Sequence, residues 1–203
     1  MKILLLSTLI LLTGKLYGQN HELWIELGAG QTIIDEHSTF FIPPLLQEED
    51  KFRRVGVNYS YTPDSAGFSL KSGLMFDQRN SYGTVFDYLR LPVGIEFHPG
   101  NKIQLILGLG IYGSVLLSIT DPTTYYEYHS DEFTEFQIGG SYSGGIGFQL
   151  SKKINVSAQY QKNFDIIRMY EDDRSSPGGI PYTLNIRGFE GFLKLGVKYK
   201  VFN

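Results

Sequence analysis

The chain has 203 residues, a formal net charge of −3, 42% hydrophobic residues and no cysteine. That length suits one domain, the mild negative charge gives no reason to expect nucleic acid binding, and the lack of cysteine excludes disulfide staples and a cysteine-borne lipid anchor. Twenty-three glycines with 14 Phe and 14 Tyr favour strands and turns over helices.

The first residues read as an export signal. Met1-Lys2 precede the apolar run Ile3–Leu12, and a short polar stretch ends in Tyr17-Gly18-Gln19. A charged start, a short apolar core and a small residue are the parts of a secretory signal, with cleavage expected near Gly18 or Gln19. The run falls short of the about 20 apolar residues that a spanning helix needs, and no later run approaches that length. The expected division is 1–19 as a cleaved signal and 20–203 as one domain.

Beyond the signal, eight segments alternate apolar and polar residues with a period of two, which puts each set on its own strand face. The first is Leu23–Ile33, with Leu23, Ile25, Leu27 and Ala29 on the apolar face. The second, Arg54–Thr62, turns Val55, Val57, Tyr59 and Tyr61 the same way, and the third, Gly67–Arg79, turns Phe68, Leu70, Leu74 and Phe76. The fourth and fifth form a hairpin around His98-Pro99-Gly100-Asn101. Its aliphatic ladder runs Leu89, Leu91, Val93, Ile95, Phe97 and then Ile103, Leu105, Leu107, Leu109, Ile111. The sixth is Glu135–Leu150, the seventh Lys153–Phe164 and the eighth Arg187–Phe202. Pro92 lacks an N–H, so a bulge or a missing ladder bond is expected there.

The connections sort by length. Thr62–Ala66, His98–Asn101 and Ser151–Lys152 are short; Ile34–Arg53, Thr120–Thr134 and Asp165–Ile186 are long; Asn80–Val85 is intermediate. With both ends of the domain on one side, all the short turns fall on that side. This is the pattern of an eight-stranded antiparallel up-and-down transmembrane β-barrel, all-β, with short periplasmic turns and longer extracellular loops. Strands that cross a bilayer must close into a barrel to satisfy their backbones. Outward aromatics should ring both interfaces: Tyr61, Phe68, Phe97, Phe148 and Tyr199 at the turn end, and Phe76, Phe136, Phe164 and Phe189 at the loop end. A soluble lipocalin-like barrel with its aliphatic faces turned inward around a ligand is the alternative, because periodicity alone does not say which face is outside.

At these residues the chain resembles a known family. Tyr88-Leu89-Arg90-Leu91-Pro92-Val93 is similar to the Y-L-x-[IL]-P strand of the PorT-like outer-membrane β-barrel family of Bacteroidota. Ser72-Gly73-Leu74-Met75-Phe76 and Gly108-Leu109-Gly110-Ile111-Tyr112-Gly113 fit its neighbouring strands. The resemblance implies a small outer-membrane barrel of the porin type, and for some members a part in type IX secretion and gliding. Lys194, Gly196, Tyr199 and Val201 resemble the last-strand signal read by the barrel assembly machinery, although the chain ends in Asn203 with Phe202 beside it.

Seven charged residues fall on inward positions: Glu26, Lys71, Asp77, Arg90, Glu96, Lys194 and Lys198. Estimated depth pairs Glu26 with Lys198, Lys71 with Glu96, and Asp77 with Arg90. In an interior just wide enough for side chains, charges should pair and fill the lumen; the other reading is the filter of a narrow solute pore.

The long loops offer contacts. Phe40, Phe41 and Ile42 form an apolar stretch, and Tyr125, Tyr126 and Tyr128 stand among carboxylates. The first suggests a segment that folds over the barrel mouth, lies on the membrane or meets a partner; the second suggests a calcium or protein-binding surface, or a solvated loop. His129-Ser130-Asp131-Glu132 has the residue types of a lipid hydrolase, but adjacent loop residues are poorly placed for a triad. No histidine pair has the spacing of a metal site. The expectation is therefore no cofactor and no catalysis. Outer-membrane lipid and the assembly machinery would be the partners, with an interaction role at the extracellular loops.

Overall fold

The computed structural model describes residues 20–38, 50–63, 67–81, 84–120, 135–167, 170–175 and 181–202. The expected signal, Phe40, Phe41 and Ile42, Tyr125, Tyr126 and Tyr128, and the His129–Glu132 run lie outside them. The strands are β1 (Asn20–Ser38), β2 (Asp50–Thr62), β3 (Phe68–Ser81), β4 (Thr84–Phe97), β5 (Ile103–Thr120), β6 (Phe136–Gln149), β7 (Ile154–Asp165), β8 (Tyr170–Ser175) and β9 (Pro181–Phe202). β1 to β7 pair in sequence, β7 pairs with β9, and β9 pairs back to β1, so eight of the described strands close an antiparallel barrel.

The faces fall as the alternation requires. Leu109 is 67% exposed and Ile111 62%, and most residues of the other apolar faces are likewise exposed, with Tyr59, Tyr61, Phe68 and Leu89 half-buried. Trp24, Phe52, Met75, Tyr88, Ile106, Tyr112 and Phe192 are buried inside, together with the charged residues. A closed barrel with an aliphatic exterior and a charged interior is a membrane-spanning one, and this orientation excludes the lipocalin-like alternative. Phe97, Phe148 and Tyr199 stand exposed near the turn end, and Phe76, Phe136, Phe164 and Phe189 near the loop end.

The strands outrun the expected ones at the loop end. β1 continues to Ser38, paired with Leu184 of β9. Residues 165–186, read as a loop, instead hold β8, which pairs with β9 from Tyr170↔Ile186 to Ser175↔Pro181. A three-stranded ribbon of β1, β9 and β8 therefore rises beyond the barrel wall. The intermediate connection after β3 is also shorter than expected, since Ser81 pairs with Thr84. Polar residues hid these extensions, because beyond the bilayer nothing enforces apolar alternation.

Pro92 interrupts the ladder without shifting it. Ser72 pairs with Val93 and pairing resumes at Met75↔Arg90 in the same register, so the missing N–H costs a local bond and no bulge. The register shift of β4 lies elsewhere, between Asp87 and Tyr88 against β5. At the turn after β4, Gly100 has φ +115°, a conformation that side-chain-bearing residues rarely adopt.

Candidate functional site

All seven inward charges identified from the sequence are buried or nearly so within the lumen, and they sort into two layers. The turn-end layer is an alternating set of two lysines and two glutamates. Lys71 Nζ lies 2.9 Å from Glu26 and 3.3 Å from Glu96. Lys194 Nζ lies 3.8 Å from Glu26 and 3.6 Å from Glu96. Asn58 Nδ2 donates to Glu26 at 3.2 Å. Lys71 also stands 4.4 Å from the centre of the Trp24 ring, and Lys198 lies 3.9 Å from it.

The expected Lys71–Glu96 pair therefore forms, and Glu26–Lys198 does not. Lys198 bonds Glu22 at 2.8 Å instead. The cause is register: β9 sets Lys198 opposite Trp24 and puts Gly196 opposite Glu26, leaving Glu26 to the lysines of β3 and β9 one step further in.

The loop-end layer is built on arginine. The Asp77–Arg90 pair forms as expected, at 2.8 Å from Nε. Arg54 also grips Asp77 with two bonds, 2.6 and 2.7 Å. Arg90 binds both oxygens of Glu190 at 2.9 and 3.0 Å. Arg79 contacts Glu190 through Nε and binds Asp165 at 2.9 Å. Tyr112 donates to Asp165 at 2.7 Å, and Asn163 donates to Glu190. Arginine's fixed fork suits such two-point bonding. The guanidiniums also stack: Arg90 lies 3.9 Å from the Tyr112 ring centre, Arg79 4.8 Å from Tyr88, and Arg54 4.6 Å from Phe192.

Arg54, Arg79, Asp165, Glu190 and Glu22 were not identified from the sequence. For Arg54 and Glu190 the signal was present: outward Val55 and outward Phe189 imply inward neighbours. Arg79 follows Asp77 on the inward face in the same way. Asp165 falls where the sequence predicts a loop, and its partner Arg79 lies 86 residues away in sequence.

Together six cations meet six carboxylates across the two layers and the Lys198–Glu22 pair. The paired lumen thus contributes nothing to the net charge. A cavity of about 50 Å³, bordered by Glu26, Arg54, Lys71, Met75 and Lys194, separates the layers. Below them His98, whose side chain is 11% exposed, has Nε2 3.7 Å from Glu96. Burial and then the Lys198 ammonium push its imidazole down to about 4, so it is neutral at pH 7. Among the described residues no cluster of His, Asp and Glu could hold a metal ion.

The assembly-signal positions divide between the faces: Lys194 is buried in the lumen, and Tyr199 and Val201 are exposed outside. Gly196 lies opposite Glu26 on β1.

No protein-family model matches the sequence, and no curated protein matches it. Solved structures do. The barrel is similar to Neisserial surface protein A (14% identity, TM-score 0.50), with 88% of this chain and 96% of that one covered. It is also similar to the outer membrane protein OprG from Pseudomonas aeruginosa (12% identity, TM-score 0.54), with 91% and 97% covered. At this identity the likeness shows the fold, that of an outer-membrane β-barrel.

Proposed function

We propose that this protein is a non-conducting, non-enzymatic barrel of the bacterial outer membrane that anchors its loop end for contact with a partner. The observation that carries this reading is the arginine layer. Its bonds run from β4 to β9 and from β3 to β7, and so cross the lumen rather than lining it. An ion entering would have to separate guanidinium–carboxylate pairs already removed from water, which costs several kcal/mol. The ribbon of β1, β8 and β9 supports the second half of the reading, since paired strands continue past the bilayer on one side only. The PorT-like resemblance of Tyr88–Val93 makes a secretion or gliding accessory the particular role we favour.

Two measurements test the reading. Protein reconstituted in a planar bilayer should be silent, and regular single-channel steps would establish the narrow pore instead. Removing the three long loops should spare insertion and abolish partner crosslinking in cells; an unchanged set of crosslinked partners would refute the anchoring role.

A further inference from the structure

The turn end of the barrel holds a cavity of about 250 Å³ outside the two charge layers. Lys152 and Lys153 from the turn between β6 and β7, Lys198 and Lys200 from β9, and His98 line it, with Glu22 as the carboxylate among the described lining residues. Glu22 is held by Lys198. Lys152, Lys153 and Lys200 have no described carboxylate in ion-pair range. The lumen balances every paired cation, whereas among the described residues this mouth gathers an excess of three ammonium groups around a concave, solvent-reachable space. Low-dielectric walls focus such a field and concentrate counter-ions inside it. The amides of Gln104 and Asn155, bonded to each other at 2.9 Å, add hydrogen-bonding groups to the same space.

We propose that this mouth is a binding site for a phosphate-class oxyanion, held by Lys152, Lys153 and Lys200. Lysine binds phosphate as a point charge, and three such charges suit a group carrying two negative charges. The phosphate has two sources: a soluble compound of the compartment at this end, or the headgroup of a lipid in the adjoining leaflet. The site is independent of any partner at the loops and of whether the lumen conducts.

Trp24 is the sole tryptophan of the chain. Its ring lies 3.9 Å from Lys198, which borders the cavity, so its emission reports on the site. The mature protein, folded in zwitterionic detergent, is titrated with inorganic phosphate and pyrophosphate at constant ionic strength set by chloride. A saturable emission change is expected, with half-saturation at least tenfold higher in Lys152→Gln/Lys153→Gln/Lys200→Gln. The mobility shift on boiling verifies that this variant is folded. A phosphate response no different from chloride, or an unchanged curve in the folded triple variant, overturns the proposal. The same titration in phosphatidylcholine nanodiscs with and without phosphatidylglycerol separates the sources. Equal curves support a soluble phosphate. An emission change on adding phosphatidylglycerol, with weakened binding of free phosphate, supports the lipid headgroup.

Discussion

The two layers of the lumen solve one problem in different ways. At the loop end, Glu190 lies in contact with Arg79 and Arg90 and 3.9 Å from Arg54, and Asp77 is shared by Arg54 and Arg90. No pair there can be removed without disturbing a third group. At the turn end the lysine contacts run from 2.9 to 3.8 Å, and although each lysine faces both glutamates, the shorter contacts join Lys71 to Glu26 and Lys194 to Glu96. Guanidinium forks lock geometry, while ammonium groups on flexible stems tolerate adjustment. The locked arginine layer and the adjustable lysine layer thus sit at opposite ends, and the adjustable one adjoins the open mouth.

Breaking the arginine layer should have the largest effect. Glu190→Gln leaves three buried guanidiniums facing two carboxylates, a loss expected to cost about 3–5 kcal/mol. Urea unfolding in detergent, followed by mobility before and after boiling, reads it. A cost below about 1 kcal/mol would mean that water already reaches this layer and that it does not seal the lumen.

The turn end should respond to acid instead. The His98 imidazole sits at about 4 in the fold, below its ordinary 6.5. The unfolded chain therefore binds the proton first, so stability rises with pH between 4 and 6.5 and falls as pH drops through that window. The full loss is at most about 3–4 kcal/mol, taking about 1.4 kcal/mol per pH unit. His98→Gln should flatten this part of the stability–pH curve. An unchanged slope in that variant would assign the acid sensitivity to the carboxylates.

A smaller effect tests how aromatic packing supports the arginine layer. A Cβ at Gly139 would lie 2.1 Å from Cζ of the Tyr112 ring and 2.5 Å from the Phe164 carbonyl. Gly139→Ala should displace Tyr112 from Asp165 and cost about 1–3 kcal/mol, as overpacking does. Unfolding at the wild-type urea midpoint would show that the tyrosine is not braced against this wall.

The sequence made the faces legible and left the contacts obscure, for a physical reason. A bilayer imposes a period of two wherever the chain crosses it, so Leu89 to Phe97 and Ile103 to Ile111 declare their side. Neighbouring-strand pairs such as Lys71 with Glu96 then follow from depth. Closure contacts do not. Arg90 meets Glu190 across 100 residues, and their meeting depends on the shear of the whole barrel. The same shear moved Lys198 from Glu26 to Glu22. β8 was invisible because Tyr170–Ser175 pairs beyond the bilayer, where no alternation is enforced.

The sharpest discrimination between the layers is also the smallest effect. Replacing a buried ion pair by well-packed apolar residues is often neutral, because the desolvation cost leaves together with the attraction. Lys194→Met/Glu96→Leu removes one such pair and leaves Lys71 bonded to Glu26 at 2.9 Å. Its stability should stay within about 1 kcal/mol of wild type, and each single substitution should cost more than the double. Asp77→Leu/Arg90→Met is the matching change at the loop end. There Arg54 loses a two-point partner and Glu190 loses another, so the double should remain as damaging as its worse single. Equal behaviour of the two doubles in urea unfolding would erase the distinction between a divisible lysine layer and an indivisible arginine one.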